Sequence, residues 1–199
     1  MNRQLLTEWL PFNNVDKKLL TESIKNGTDL IVEGILQRAG AKNQNGRIYS
    51  FEILDRELSK YKQVIKENRA LGELDHPDSP IVNLSNASHL VLAADWNDKN
   101  EIVGKIKILS TPSGNIIKNL LAADVLLGIS SRGMGSVKEV NEDTVEVLED
   151  YELICWDFVS TPSTQQGWMK AVNESKEFKR QINKVDSLIR NIISGFSQK

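Results

Sequence analysis

The chain contains only two histidines, His76 and His89, and one cysteine, Cys155. One thiol cannot build a thiolate metal site, and the two histidines lack the spacing of a helical zinc motif, so no metal is expected. Neither G-x-x-x-x-G-K-[ST] nor G-x-G-x-x-G occurs, which removes the usual sequence support for nucleotide cofactors. Hydroxyl chemistry remains. A serine hydroxyl is a weak nucleophile until a neighbouring base takes its proton. Histidine is the usual base, and a carboxylate usually holds its tautomer. Ser131 follows an apolar run and precedes Arg132-Gly133-Met134-Gly135, where glycine would let backbone N–H groups approach a substrate oxygen. Pattern alone barely separates it from Ser130. His76 sits before a stiffening proline in Glu73-Leu74-Asp75-His76-Pro77, whereas His89 opens an apolar run and reads as a satisfied core or edge histidine.

These residues need elements to hold them. Residues 151–160 read as a strand in which alternation puts Leu153, Cys155, Asp157 and Val159 on one face. An acid on an apolar face calls for a partner, and a histidine would supply one. Glu152 faces the other way unless a bulge intervenes. Residues 125–130 read as a buried strand running into Ser131. The segment 71–88 holds two prolines and several turn formers and reads as irregular. Further strands are expected at 30–36, 89–95 and 101–109, with a hairpin over 137–149. Helices are expected at about 51–68, capped by Ser50, from Thr111 onward, and at about 174–193. In the first, Phe51, Leu54, Leu58, Tyr61 and Ile65 form the core stripe, and Glu57 lies on the solvated side. Strands with helices inserted between them predict an α+β fold on an antiparallel sheet or barrel.

Residues 1–28 stand apart. They carry Leu-Leu-Thr-Glu twice, at Leu5–Glu8 and Leu19–Glu22, with Pro11 and Asn13-Asn14 between. Two short amphipathic helical pieces, or a removable arm, are expected there.

Composition narrows the class. A chain of 199 residues with 40% apolar and 26% charged residues suits a soluble globular domain. It should bury roughly 70% of its unfolded surface without a metal or disulfide. A net charge of −2, with neither half strongly basic, predicts no nucleic-acid partner. No apolar run reaches a membrane span, and the N-terminus does not read as a signal peptide, so no membrane partner and a thiol-reducing compartment are expected. Cys155, in an apolar run, reads as a small core residue.

Five blocks carry a resemblance. Asn45-Gly46-Arg47-Ile48-Tyr49, Leu71-Gly72-Glu73-Leu74-Asp75-His76-Pro77, Ser88-His89, Leu109–Gly114 and Leu127–Gly135, in that order, resemble the prohead core serine proteases of T-even-type phages. The family is similar in fold to herpesvirus assemblin, which implies a mostly antiparallel β-barrel surrounded by helices. The resemblance implies a serine endopeptidase with no cofactor, working inside the viral prohead in the host cytoplasm. Its substrates would be scaffold or core proteins and the major capsid protein, and it would form a homo-oligomer. His76 matches the family's base. Ser131 matches the nucleophile, through Ser-x-Gly at Ser131-Arg132-Gly133. The third member varies across the wider group, so Asp157 rests on the strand argument rather than on the family. Arg132 and Gly133 would serve the oxyanion loop. Cleavage after glutamate in an apolar-x-Glu context would make Glu8 and Glu22 self-cleavage sites, dividing the chain into an arm (1–28) and a protease domain (29–199). Lys105, Lys107 and Arg132 are the cations available to recognise that glutamate. The alternatives are a non-catalytic scaffold or capsid-interior protein that kept the fold, and a hydrolase of small esters.

Overall fold

The computed structural model describes residues 3–12, 17–160 and 169–171. Strand β1 (Gln4–Phe12) and helix α1 (Lys17–Asn26) come first, followed by β2 (Leu30–Arg38), β3 (Arg47–Ile48) and α2 (Phe51–Lys66). Next are β4 (Leu71–Glu73), β5 (Ala87–Trp96), β6 (Glu101–Ile108) and α3 (Pro112–Ala122). The chain continues through β7 (Leu127–Gly135), β8 (Val137–Asn141), β9 (Thr144–Val147), β10 (Glu152–Val159) and β11 (Met169–Ala171).

The helices begin where local chemistry allows. The Ser50 hydroxyl accepts from the Ile53 N–H and caps α2, and Thr111 does the same for Gly114 at the start of α3, with Pro112 at the first helical position. On α2 the expected stripe is displaced. Leu54, Leu58 and Tyr61 are buried, but Phe51 is exposed and packs against Trp96 at 4.6 Å between ring centroids. Glu57, expected in solvent, is buried. Its carboxylate accepts from Lys60, Arg56 and the Leu153 N–H, so the helix is pinned to the start of β10.

The strands form three sheets, in the orders β1-β7-β10, β11-β2-β6-β5-β4 and β3-β9-β8. The pairings are antiparallel except β3 with β9. The fold is therefore α+β, as expected, but no sheet among the described residues closes into a barrel. The β5–β6 and β8–β9 hairpins follow the alternation of Ile102, Ile106 and Ile108 and the turn at Asn141–Asp143. The first Leu-Leu-Thr-Glu copy is not helical. It lies in β1, paired along the whole of β7, with Leu6 fully buried. The second copy lies in α1, as expected, with Leu20 in the core. The helix expected at 174–193 lies outside the described residues.

One junction positions the rest. At the end of β4, Leu74 makes a parallel bridge with Phe158 of β10, and the Asp75 N–H donates to the Phe158 carbonyl at 2.7 Å. The five-stranded and three-stranded sheets meet here. Asp75 then adopts φ +68, a left-handed conformation that aspartate tolerates, and its carboxylate accepts from the His76 N–H at 3.0 Å. The approach requires Gly72. A Cβ there would stand 2.1 Å from the Trp156 carbonyl oxygen and 2.3 Å from the His89 ring. Gly72→Ala should therefore lower stability by about 3 kcal/mol, combining overpacking against backbone with loss of a buried hydrogen bond. Urea unfolding checks this; an unchanged midpoint would mean that the β4–β10 junction can open without penalty.

Candidate active site

Strand β7 lies between β1 and β10, and its register decides which side chains meet. Ser130 stands opposite Asp157, Ser131 opposite Trp156, and Arg132 opposite Cys155. Directly opposed residues share a face, and neighbours along a strand alternate. Ser130, Arg132, Asp157 and Cys155 thus share one face. Ile129, Ser131, Trp156 and Phe158 share the other, which carries the aromatic core. A bulge between Leu153 and Cys155 sets this phase on β10.

His76 reaches the first of these faces from the β4 junction. Its Nδ1 lies 2.8 Å from Asp157 Oδ2, and its Nε2 lies 2.5 Å from Ser130 Oγ. A carboxylate can only accept, so Nδ1 carries the proton and Nε2 is left to accept from the serine hydroxyl. Ser130 is 1% exposed, Asp157 is fully buried, and the His76 side chain is 20% exposed, so the imidazole is the part of the trio open to solvent. Burial by itself would raise the Asp157 pKa. The hydrogen bond from His76, the Arg132 charge and the Glu73 N–H outweigh it and hold the carboxyl below its usual range. Asp157 therefore stays ionised.

The structure corrects the expected pairing of Ser131 with His76. Ser131 points into the aromatic core, and its buried hydroxyl finds no hydrogen-bond partner among the described residues. The cause is alternation: in Leu127-Gly128-Ile129-Ser130-Ser131, the second serine continues the face of Leu127 and Ile129. The expected glycine-rich oxyanion turn is also absent, because 127–135 is one uninterrupted strand. Gly133 lies within it and makes room for an aromatic ring. A Cβ there would come within 2.4 Å of the Tyr151 ring.

Arg132 is fully buried, and its guanidinium is taken up by acids. Nε donates to Asp157 Oδ2 at 2.9 Å, and Nη2 donates to Glu73 Oε1 at 2.7 Å. Nη1 donates to the Ser79 carbonyl at 2.6 Å. Arg132 is thus committed behind the trio, and Lys105 and Lys107 lie on β6, in the other sheet from Ser130. None of the cations singled out for glutamate recognition stands free beside the serine. Glu8 and Glu22 lie in β1 and α1, and β1 places Glu8 at the register position of Ser131 and Trp9 at that of Ser130. Sequence reasoning missed Glu73. Its signal was the block it shares with His76, where it sits one strand step before the junction.

Cys155 is buried, and burial together with the Asp157 charge pushes its thiol well up. His89 is the core histidine expected. Nε2 donates to the Trp156 carbonyl, and Nδ1 accepts from the Ser88 hydroxyl, both at 2.9 Å. Among the described residues no group of His, Cys, Asp and Glu could hold a metal ion, and no helix is long and apolar enough to cross a membrane.

Comparison with known proteins follows the same line. A family model described as "Prohead core protein serine protease" matches residues 11–177. The prohead core protein protease of Enterobacteria phage T4 is 32% identical, over 74% of this chain and 72% of that protein. A solved structure of the bacteriophage T4 capsid assembly protease aligns with a TM-score of 0.69. It covers 81% of this chain and 100% of that one at 24% identity, a likeness of fold.

The buried His89 also predicts a pH dependence. Burial pushes its pKa down to about 4, against about 6.5 in an unfolded chain. Between these values the unfolded chain binds a proton that the folded protein refuses, so stability rises with pH across the window. Lowering the pH from 6.5 to 4 should remove about 3 kcal/mol. The lowered Asp157 acts only below that window, as its carboxylate protonates. Urea midpoints measured across the range should show the slope, and His89→Gln should flatten it. A variant that keeps the full slope would assign it to other groups.

Proposed function

We propose, from the premise that the chain belongs to the prohead core protein serine protease family, that it is a capsid-maturation endopeptidase whose nucleophile is Ser130. The observation that carries this reading is the unbroken run of hydrogen bonds from Asp157 through His76 to Ser130. His76 Nε2 takes the Ser130 proton as Oγ attacks the scissile carbonyl, and Asp157 stabilises the imidazolium that forms. The imidazolium then protonates the leaving amine. Water, deprotonated by the same nitrogen, hydrolyses the acyl-enzyme and returns the proton to Oγ. Substrates are proteins of the phage prohead, namely its scaffold or core and the major capsid protein.

The same reading gives the N-terminal arm a role. With β1 in place both edges of β7 are paired, and Ser130 is nearly sealed from solvent. Proteases bind substrate as an extended strand through backbone hydrogen bonds, and β7 offers none while β1 occupies it. The Glu8–Trp9 bond lies across from Ser131 and Ser130 in that register. Cleavage after Glu8 would release Gln4–Glu8, the part of β1 paired with Ser131–Gly135, freeing backbone groups next to Ser130 for an incoming chain and for the oxyanion. Glu22 lies inside α1 and would first have to unwind. Glu8 is therefore the preferred self-cleavage site, and within the arm (1–28) both β1 and α1 pack on the domain.

Ser130→Ala should reduce cleavage of co-expressed scaffold protein by about 10³-fold or more. Ser131→Ala, which removes a hydroxyl with no partner among the described residues, should leave cleavage within a few fold. The reverse order of effects would return the nucleophile to Ser131. Mass spectrometry of the same samples should find a new N-terminus at Trp9 in the wild type and none in Ser130→Ala. An intact arm after complete substrate processing would refute self-cleavage at Glu8.

A further inference from the structure

A carboxylate behind a catalytic histidine works by being negative when the imidazolium forms. Asp157 meets a difficulty in that role. The Oδ2 that accepts from His76 Nδ1 also accepts from Arg132 Nε, and Oδ1 receives Arg132 Nη2 at 3.3 Å. A fixed cation on the same carboxylate cancels much of the field that Asp157 presents to the ring. Taken alone, Arg132 would orient the acid and weaken it together.

Glu73 removes the difficulty. Its side chain is 1% exposed, and Oε1 accepts from Arg132 Nη2 at 2.7 Å and from the Asn83 N–H at 3.0 Å. Its own backbone N–H donates to Asp157 Oδ1 at 2.9 Å. One buried guanidinium therefore faces two buried carboxylates, leaving the cluster one negative charge in excess while His76 is neutral. Protonation of His76 balances it. The other ionisable groups around the ring do not alter this count. Asp75, on the His76 side of the junction, is exposed, so water screens its charge, and it is the same in every variant below; the Cys155 thiol is pushed up and stays neutral; and His89, across β4, stays neutral down to about 4.

We infer that Arg132 and Glu73 are positioning residues acting as a pair: Arg132 fixes the Asp157 carboxylate against His76, and Glu73 offsets the Arg132 charge so that the imidazolium is still favoured. The inference rests on the reading of Ser130, His76 and Asp157 as the reacting trio. It assigns Arg132 a place behind the acid instead of at the oxyanion, and it gives Glu73 a part in the chemistry although it touches neither substrate nor the reacting atoms. The Arg132 bond to the Ser79 carbonyl also ties the 77–86 loop to the same cluster.

Charge and geometry separate in three variants. Glu73→Gln keeps shape and removes one negative charge, so the ring of His76 should take up its proton at a lower pH, by on the order of one pH unit. Arg132→Met removes the cation and should move that pH upward by a similar amount. Arg132→Lys keeps the charge without the fork. It should leave the protonation pH near that of the wild type while lowering kcat at least tenfold and changing KM little. The direct readout is NMR of protein labelled at histidine. With only two histidines, and His76→Asn to assign the signals, the His76 titration is read without reference to activity. The acid limb of kcat/KM should move in step with it. Opposite shifts in Glu73→Gln and Arg132→Met support the pairing. An unmoved titration in Glu73→Gln, or shifts of the same sign, overturns it. Should Arg132→Met not fold, Glu73→Gln and Arg132→Lys decide the matter: the downward shift in the first with none in the second supports the inference, and any other pattern overturns it. Predicted titrations in a protein that cleaves nothing would uphold the charge pairing and reject the protease reading.

Discussion

Asp157 is a charge sealed inside the protein, and much of the surrounding structure can be understood as what makes that charge tolerable. An isolated buried carboxylate would take up a proton rather than stay ionised. Asp157 avoids this by accepting from His76, from Arg132 through two nitrogens, from the Glu73 N–H and from the Cys155 thiol. The donors come from three stretches of chain. His76 and Glu73 arrive with β4, Arg132 with β7, and Cys155 with β10 itself. The β4–β10 bridge, the bulge on β10 and the missing side chain at Gly72 all serve to bring these donors within reach. Remove the charge, and the donors from β4, β7 and β10 lose the acceptor they share.

The legibility of this arrangement varies residue by residue. Asp157 could be found from sequence because an acid in an apolar strand is a conspicuous expense. His76 could be found because a proline-bounded histidine in a polar loop has few other uses. The hairpins were legible from their alternation and turns. Ser131 was expected where Ser130 stands, although the alternation that picked out Asp157 also separates the serines: Leu127, Ile129 and Ser131 fall on the core face, leaving Ser130 opposite the acid. The family's Ser-x-Gly spacing pulled the other way. The pairing of Arg132 with Asp157 and Glu73 and the burial of Glu57 were not legible, since ion pairs between distant strands leave no periodic trace. The β1 strand was missed for a related reason. Leu-Leu-Thr-Glu suits either helix or strand, and only the edge of β7, far along the chain, selects between them.

The two roles of β7 explain why its sequence departs from an ordinary core strand. One face must pack against aromatic rings, which the small Ser131 and the bare Gly133 allow. The other must hold a serine hydroxyl and a guanidinium side by side without solvent. Its edge away from β10 must also accept a strand, first from the chain's own N-terminus and, in the reading developed above, then from a substrate. Burial of Leu6 anchors the first of these while leaving the bond after Glu8 alongside the site.

The central claim is that the reactive hydroxyl belongs to Ser130, polarised by His76. Its most direct measurement is peptide mapping, by tandem mass spectrometry, of arm-processed protein treated with a fluorophosphonate. The fragment ions on either side of the bond between residues 130 and 131 assign the phosphonyl group to one serine. An adduct on Ser130 is the predicted result. An adduct on Ser131, or none in protein that is actively cleaving its substrates, would contradict the account.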